Sequence, residues 1–297
     1  MTFPAVALLA KPQPHQTRAQ SALDACLRRA GYRTRTTFDL TAPEEVVFCW
    51  SWGKAMINRI KHPHAIICCL DHGYTKYRGS FINTGWSIPS MPCGLNGFAE
   101  HAWVDDGGAR AKHYGLTEEL RARRDTPLKR ALLLGQVYGD AMVRGHVEDY
   151  GKWLRERSQA LETEGYRVTF RPHPVMVRRG QSHAYGNLGR VTPHGDLWTD
   201  LSQADLAVAL SSNGLVAAFL DGIPVDWYSD GSMLTPLELM SHESRFEARE
   251  EWLHRLAWAQ WTVEELEDGT WLRHHQPIMH RIVETGEVRP WCDRRLL

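Results

Sequence analysis

Short apolar runs alternate along this chain with segments of helical periodicity, and this alternation limits the possible folds more than any other feature. In the first third of the chain, strand-like runs lie at residues 6–10, 32–37, 46–50 and 65–70. A helical segment at 20–30 lies between the first two runs and ends at Gly31. Strands that alternate with helices form parallel sheets covered by helices. The sequence therefore predicts an α/β fold.

The same alternation returns after a charged segment at 118–130 that contains Pro127. The second half has predicted strands at 131–135, 166–170, 206–210 and 223–227 and predicted helices at 146–163 and 214–221. We therefore predict two α/β domains that face a cleft, residues 1–130 and residues 131–297. A tryptophan-rich segment at 252–271 is predicted to be a packed amphipathic helix that returns over the junction.

The composition argues against several classes of protein. The chain has 35 basic and 35 acidic residues, so no net field favours nucleic acid or an acidic membrane. The six cysteines form no CxxC pair and several lie in apolar runs, which is typical of reduced core thiols in a cytosolic protein. No segment approaches the ~20 apolar residues of a membrane helix, and the start of the chain, interrupted by Pro4, predicts a strand rather than a signal peptide. A cytoplasmic location is expected.

Side chains suited to anions follow two predicted strands of the second half. Ser211, Ser212 and Asn213 stand between a strand and a helix, where hydroxyls and free backbone N–H groups bind phosphate. Helix capping alone is the other interpretation of these three residues. The stretch TFRPHP places Arg171 and His173 after a neighbouring strand.

The position of His173 between two prolines is unusual for a loop. Each proline locks its own φ and holds the preceding residue in an extended conformation. That restriction suits an imidazole that must be aimed at a ligand. A third strand end leads through Gln136 to Asp140. Because ligands bind at the carboxyl ends of parallel strands, these groups together predict a nucleotide phosphate site.

The series LLLGQVYGD, FRPHP and LSSNGLVAAFLDGIPV, in that order, resembles the capsule polysaccharide biosynthesis family, the β-Kdo-transferase-like glycosyltransferases. The resemblance covers about residues 46–228. It implies two Rossmann-like domains of the GT-B type and a nucleotide-sugar donor. The donor-binding residues that it implies are Gln136, Asp140, Arg171, His173, Ser211, Ser212 and Asn213.

The first half resembles the family less closely. CWSWGK is similar to a Trp-Gly turn of the family, and LDHGY, predicted as a turn after a strand, stands where the family carries Glu-Asp-Gly-Phe. Sugar transfer needs a base that takes the proton of the acceptor hydroxyl. The resemblance therefore implies that Asp71 or His72 is this base, and direct displacement by this route inverts the anomeric centre.

The nucleotide sugar is expected to be a co-substrate, with no further cofactor and no metal. No DxD motif stands at a strand end, because Asp105 and Asp106 precede two glycines in a pattern typical of a turn. The 15 histidines show no spacing that closes a metal site. The departing phosphate is expected to be stabilised by His173, Arg171 and the serine hydroxyls.

The sequence leaves the acceptor and the reaction class open. The family resemblance implies a surface polysaccharide or glycolipid. A 5-hydroxymethylpyrimidine in phage DNA, modified in the host cytoplasm, is the second acceptor, because clusters such as Arg28-Arg29 and Arg178-Arg179 could follow a phosphate backbone. The formal net charge of 0 argues against DNA. A nucleotide-sugar epimerase and a non-catalytic sugar-nucleotide-binding protein are the alternatives to a transferase.

Overall fold

The computed structural model describes residues 5–9, 14–37, 46–50, 61, 65–72, 82–87, 104–124, 128–144, 146–192, 195–229, 234 and 237–286. The chain divides into two compact units. Unit 1 comprises Met1–Tyr114 together with Glu251–Leu297, and unit 2 comprises Gly115–Glu250. This division differs from the predicted one, which placed residues 115–130 in the first domain and residues 251–297 in the second.

In chain order, the strands are β1 (Ala5–Leu9), β2 (Arg33–Thr37), β3 (Val46–Trp50), β4 (Ile66–His72), β5 (Ile82–Ser87), β6 (Arg130–Leu134), β7 (Arg167–Arg171), β8 (Leu206–Ala209), β9 (Val225–Trp227) and β10 (Gln260–Trp261). The helices are α1 (Pro14–Arg29), α2 (Ala109–His113), α3 (Ala141–Arg144), α4 (Tyr150–Thr163), α5 (Pro174–Arg178), α6 (Leu197–Ser202), α7 (Gly214–Leu220), α8 (His242–Glu247), α9 (Arg249–Leu256), α10 (Val263–Glu267) and α11 (Thr270–Thr285). None of these helices is both long and apolar enough to cross a lipid bilayer.

The sheet of unit 1 has the strand order β10-β5-β4-β3-β1-β2. Four of its strands, β2, β1, β3 and β4, run parallel, whereas β5 is antiparallel to β4 and β10 is antiparallel to β5. All five residues of β3 are buried, as expected for the continuous apolar run of a strand covered on both faces. The described cysteines are buried free thiols, as predicted; they are Cys26, Cys49, Cys68 and Cys69.

β4 continues beyond the apolar run that predicted it. Asp71 and His72 pair with Asn83 and Ile82 of β5, so both residues belong to a strand and not to the predicted turn. β5, which the sequence analysis did not predict, supplies the reason, because its antiparallel ladder holds them extended. The predicted turn at 51–53 and the glycine of LDHGY lie outside the described residues.

The tryptophan-rich C-terminal segment completes the core of unit 1. Trp271 of α11 packs edge-on against Phe48 of β3, with 5.7 Å between the ring centroids. Trp252 and Trp261 are, like Trp271, fully buried. Because a buried indole removes about 150–250 Å² from water, these rings account for the place of residues 251–297 in unit 1.

This segment is not the single amphipathic helix that was predicted. It folds as α9, β10, α10 and α11. Thr262 forms a capping box with Glu265, so α10 begins as a separate helix. Glu265 also accepts two hydrogen bonds from the Arg110 guanidinium of α2, at 2.5 and 2.8 Å. Both side chains are buried, so the pair joins parts of unit 1 that are distant in the sequence.

The sheet of unit 2 is parallel throughout, in the order β7-β6-β8-β9. α4 begins after Asp149, whose carboxylate accepts a hydrogen bond from Lys152 N–H at 2.9 Å. Leu154 of α4 lies in one buried cluster with Leu133 of β6 and Val208 of β8. Parallel strands packed against helices in this unit, and the four parallel strands of unit 1, confirm the predicted α/β class.

The charged segment before β6 packs onto unit 2. Arg121 N–H donates to the carbonyl of Leu220 at the end of α7, and Arg124 N–H donates to the carbonyl of Gly222, both at 2.9 Å. Gly222 has a φ of +83°, and a Cβ atom there would lie 2.0 Å from the Ala122 oxygen. The segment is therefore fixed by its backbone to the end of α7, which places its described residues in unit 2.

Candidate functional site

Gln136 follows β6 directly and is buried, with 8% of its surface exposed. The preceding residue is Gly135, where a Cβ atom would lie 2.9 Å from the Phe170 ring, so the small residue permits the close approach of β7. The Gln136 side chain accepts a hydrogen bond from Ser211 N–H at 2.8 Å and donates one to Ser211 Oγ at 3.1 Å. These two bonds fix the amide and join the carboxyl ends of β6 and β8.

Two buried tyrosines hold the backbone of Gln136. The Tyr150 hydroxyl accepts a hydrogen bond from Gln136 N–H at 2.9 Å, and the Tyr185 hydroxyl donates one to the Gln136 carbonyl at 2.7 Å. The Tyr185 hydroxyl also accepts a hydrogen bond from His173 N–H at 3.2 Å. Tyr185 therefore joins the end of β7 to the end of β6.

Both tyrosines are neutral hydrogen-bonding groups near pH 7. Burial raises the pKa of Tyr150, although the hydrogen bond from Gln136 acts in the opposite direction. Burial raises the pKa of Tyr185 to about 12, against the smaller lowering effect of the His173 hydrogen bond. Each hydroxyl keeps its proton, so the arrangement of donors and acceptors does not change with physiological pH.

His173 is the N-terminal cap of α5, and Pro174 occupies the first turn of that helix. The backbone of His173 is extended, at φ −66° and ψ 132°, as the following proline requires. The His173 ring accepts a hydrogen bond from Val175 N–H at Nδ1, at 3.2 Å. Because Nδ1 is an acceptor, the proton of the neutral ring is on Nε2. The Pro-His-Pro sequence thus sets both the direction and the tautomer of this imidazole.

Arg171 has a different environment from the one expected for a phosphate-binding cation. It is buried, its guanidinium forms an ion pair with Asp200, and it donates a second hydrogen bond to the Gly195 carbonyl at 2.8 Å. A guanidinium removed from water needs such partners. The structure therefore gives Arg171 a role in holding α6 and the preceding loop against β7.

The remaining residues of the predicted donor set differ in their roles. Ser212 Oγ accepts a hydrogen bond from Gly214 N–H at 3.2 Å, whereas the Asn213 side chain forms no capping hydrogen bond at α7. Asp140 precedes α3, and its carbonyl accepts a hydrogen bond from Arg144 N–H at 2.9 Å. No hydrogen bond between described residues joins the Asp140 carboxylate to Gln136.

In unit 1, Asp71 lies near the carboxyl end of β4 and is partly exposed. His72 follows it as the last residue of the strand.

The structure therefore brings Gln136, His173 and Ser211 into one hydrogen-bonded network at the carboxyl ends of β6, β7 and β8. Sequence reasoning missed Tyr150 and Tyr185, which organise this network. No local pattern marks a tyrosine as a bridge between strands, because its partners are backbone groups of other elements. Among the described residues, no three His, Cys, Asp or Glu side chains lie close enough together to hold a metal ion.

Comparison of the whole chain with known proteins finds similarity at the level of structure alone. No protein-family model matches the sequence, and no curated protein does. The β-Kdo 2,7 transferase of Thermosulfurimonas dismutans KpsC is similar with a TM-score of 0.52 and 14% identity, over 91% of this chain and 99% of that one. The β-Kdo 2,4 transferase of the same protein has a TM-score of 0.52 and 15% identity, over 87% of this chain and 91% of that one. The chain therefore has the fold of the capsule β-Kdo transferases.

Proposed function

We propose that the protein is a glycosyltransferase that moves a sugar from a nucleotide-activated donor to an acceptor hydroxyl. The observation that carries this proposal is the network joining Gln136, His173 and Ser211 across three adjacent parallel strands. Open α/β sheets bind their ligands at the carboxyl ends of the strands. The likeness of the fold to β-Kdo transferases supports the same chemistry.

The donor phosphates are proposed to lie at this edge of unit 2. His173 Nε2–H and the hydroxyls of Ser211 and Ser212 are the hydrogen-bond donors that would stabilise the negative charge of the departing nucleotide. The buried hydrogen bonds of Gln136 and Tyr185 hold these groups in place before the donor binds, which lowers the ordering cost of binding. Arg171 takes no part in phosphate binding in this proposal, because Asp200 neutralises its charge in a buried ion pair.

The acceptor side is proposed to follow the GT-B arrangement that the sequence predicts. Asp71 or His72 takes the proton from the acceptor hydroxyl while the hydroxyl oxygen attacks the anomeric carbon of the donor. The bond to the phosphate oxygen breaks as the new glycosidic bond forms, and the anomeric centre inverts. The proposed acceptor is a glycan, in keeping with the fold.

Donor binding tests the proposal through His173→Ala. Isothermal calorimetry with UDP-, GDP-, dTDP- and CMP-linked sugars should show one donor that binds the wild type. His173→Ala should bind it about tenfold or more weakly, the size expected for the loss of a hydrogen bond to a charged group. The control is His183→Ala, which changes an exposed histidine of the same unit and should leave the affinity unchanged. Absence of any donor binding, or equal loss in both variants, would contradict the proposal.

Turnover tests the roles of Asp71 and His72 separately. Asp71→Asn should keep the donor affinity and reduce turnover by about 10²-fold, the usual effect of a lost general base. An inactive His72→Ala with an active Asp71→Asn would assign the base to His72.

The acceptor is tested separately by incubating the enzyme and its donor with a glycan, with plain DNA or with hydroxymethylated DNA. The mass of the product identifies the acceptor that gains sugar. Donor isomerisation without any acceptor would point to an epimerase instead.

A further inference from the structure

A second site of unit 2 is marked by a cavity of about 430 Å³. Its walls come from β6 and β7, from residues 190–192 and from the region of α6. Arg130 and Arg167, which line it, are the first residues of β6 and β7, whereas Gln136 and His173 follow the opposite ends of the same strands. The cavity is therefore distinct from the site proposed to bind the donor.

The charged groups of this cavity leave two uncompensated cations. Arg130 is bonded to Asp205 through two guanidinium nitrogens, each at 3.0 Å, and Asp200 is neutralised by its ion pair with a buried arginine. Arg167 and Arg190 are exposed, and neither side chain has a hydrogen bond or ion pair with the described residues. Two guanidinium groups in the wall of one cavity favour a ligand with two negative charges.

A buried hydroxyl supplies an independent reason to expect a ligand. Thr192 is 7% exposed, and its Oγ1 has no hydrogen-bond partner among the residues that the structure describes. A buried hydroxyl without a partner is costly and rare. Thr192 lines this cavity and also a smaller one of about 220 Å³ beside it. Oγ1 itself has almost no accessible surface, so a small movement of the cavity wall would let a ligand hydroxyl or phosphate oxygen provide the missing partner.

The rest of the wall indicates the body of the ligand. Thr169 and Thr199 add two further hydroxyls, and Leu132 and Ala204 add apolar surface. Val191, also in the wall, is 47% exposed, which is high for a large apolar side chain. A small ring that carries hydroxyls on its edges and C–H groups on its faces matches this mixture. The volume lies within the range of small-molecule sites, about 300–1,000 Å³.

We infer that this cavity binds a sugar monophosphate, with Arg167 and Arg190 at the phosphate and Thr192 as a hydrogen-bonding partner. Guanidinium groups bind phosphate oxygens by paired, charge-assisted hydrogen bonds. The inference does not rest on the proposed transferase reaction, since no residue of the Gln136 network lines the cavity.

The test is an NMR titration of the full chain with methyl labels at valine and leucine. The probes are glucose 1-phosphate, mannose 1-phosphate and N-acetylglucosamine 1-phosphate, with glucose and inorganic phosphate as separate controls. At least one sugar phosphate should shift the Val191 methyl signals with a Kd below about 1 mM. That sugar phosphate should bind more tightly than either control. Equal binding of inorganic phosphate, or no shift at Val191 with any probe, would overturn the inference.

Variants separate this cavity from the proposed donor site. The double variant Arg167→Gln/Arg190→Gln should weaken sugar phosphate binding at least tenfold, and Arg179→Gln, an exposed arginine outside the cavity, should leave it unchanged. His173→Ala should also leave the Val191 shift unchanged. If His173→Ala abolished the Val191 shift while the double variant kept it, the ligand would lie at the donor site, and the inference would be refuted.

Thr192→Val tests the role of the buried hydroxyl. The variant should melt at a higher temperature than the wild type in the absence of ligand, because it removes a polar group without a partner. It should also bind the sugar phosphate severalfold more weakly. Increased stability with unchanged affinity would show that the hydroxyl does not contact the ligand, and would contradict the proposed binding mode.

Discussion

In unit 1, Trp261 and Trp271 are fully buried, and their indole N–H groups have no hydrogen-bond partner among the described residues. In unit 2, Tyr150 and Tyr185 are also buried, yet both hydroxyls are bonded to the backbone of Gln136. All four rings stabilise the fold by the area they remove from water. Tyr185 also joins the ends of two strands, and Tyr150 holds the backbone of Gln136. The polar atom of a buried aromatic residue, rather than its ring, therefore indicates whether that residue positions other groups.

The Arg110–Glu265 pair of unit 1 and the Gln136 network of unit 2 join distant parts of the chain in different ways. In unit 1, the buried Arg110–Glu265 pair connects α2 with α10. In unit 2, neutral hydroxyls and an amide connect the strands around Gln136. A buried charge that loses its partner is much more costly than a neutral group that does so. The expected effects of substitution at these two places therefore differ in size.

The largest effect is expected for Glu265→Gln in unit 1. The substitution leaves the buried Arg110 guanidinium without a counter-ion, which should lower the free energy of unfolding by about 3–5 kcal/mol. Urea unfolding followed by tryptophan fluorescence measures this loss. The control is the adjacent Glu264→Gln. Because the pair of Glu264 with Arg18 is exposed, this variant should lower the free energy of unfolding by less than about 1 kcal/mol. Similar losses in the two variants would show that burial of the pair is unimportant.

A smaller effect on stability, with an added effect on binding, is expected for Tyr185→Phe in unit 2. The variant leaves the Gln136 carbonyl and the His173 N–H without their shared partner, at a cost of about 1–3 kcal/mol. Donor affinity should fall as well, because the ends of β6 and β7 are no longer joined. Urea unfolding and calorimetry with the donor measure the two losses.

The matched control for this substitution is Tyr138→Phe. Tyr138 contacts the Tyr150 and Tyr185 rings but is 40% exposed, so its hydroxyl should be dispensable for stability and for donor binding. If Tyr185→Phe lost stability but kept full donor affinity, the hydroxyl would be structural only. The contrast between the buried tryptophans of unit 1 and the buried tyrosines of unit 2 would then not hold.

The smallest effect concerns the edge of the unit 2 sheet and depends on pH. Burial acts to raise the pKa of Asp226 of β9, but the hydrogen bond from His242 and the charges of His242 and Arg245 outweigh it and lower this pKa. A lowered pKa stabilises the folded protein above the pKa of an unfolded aspartate, about 3.9. This contribution is lost as the pH falls through the lower folded value.

Asp226→Asn should therefore reduce stability by about 1 kcal/mol at pH 7, the size of a net hydrogen bond. The difference in stability between variant and wild type should persist down to about pH 4. It should disappear below that pH, because Asp226 itself becomes protonated. Urea midpoints of both proteins across this pH range provide the measurement. A difference that grows below pH 4 would have the wrong sign and would exclude the proposed cause.

Local features of the sequence pointed to some members of the hydrogen-bonded network at the strand ends and missed others. Ser211 and His173 were found because strand ends, caps and prolines act on neighbouring residues. The ion pair of Arg171 could not be predicted from local sequence, because its partner, Asp200, lies 29 positions away. Asp71 was placed in a turn because the antiparallel partner β5 has no strong apolar pattern.

The pattern of residues along the chain was sufficient to predict the α/β class, the parallel strands of the two sheets and the order of polar residues at the ends of β6, β7 and β8. These properties follow from hydrophobic periodicity and backbone preferences, which act over a few residues. The tertiary structure alone decided that residues 251–297 complete unit 1 and that Tyr185 joins two strand ends. Both depend on which distant groups become buried together, and that choice is made by packing and by the pairing of buried polar atoms across the whole chain.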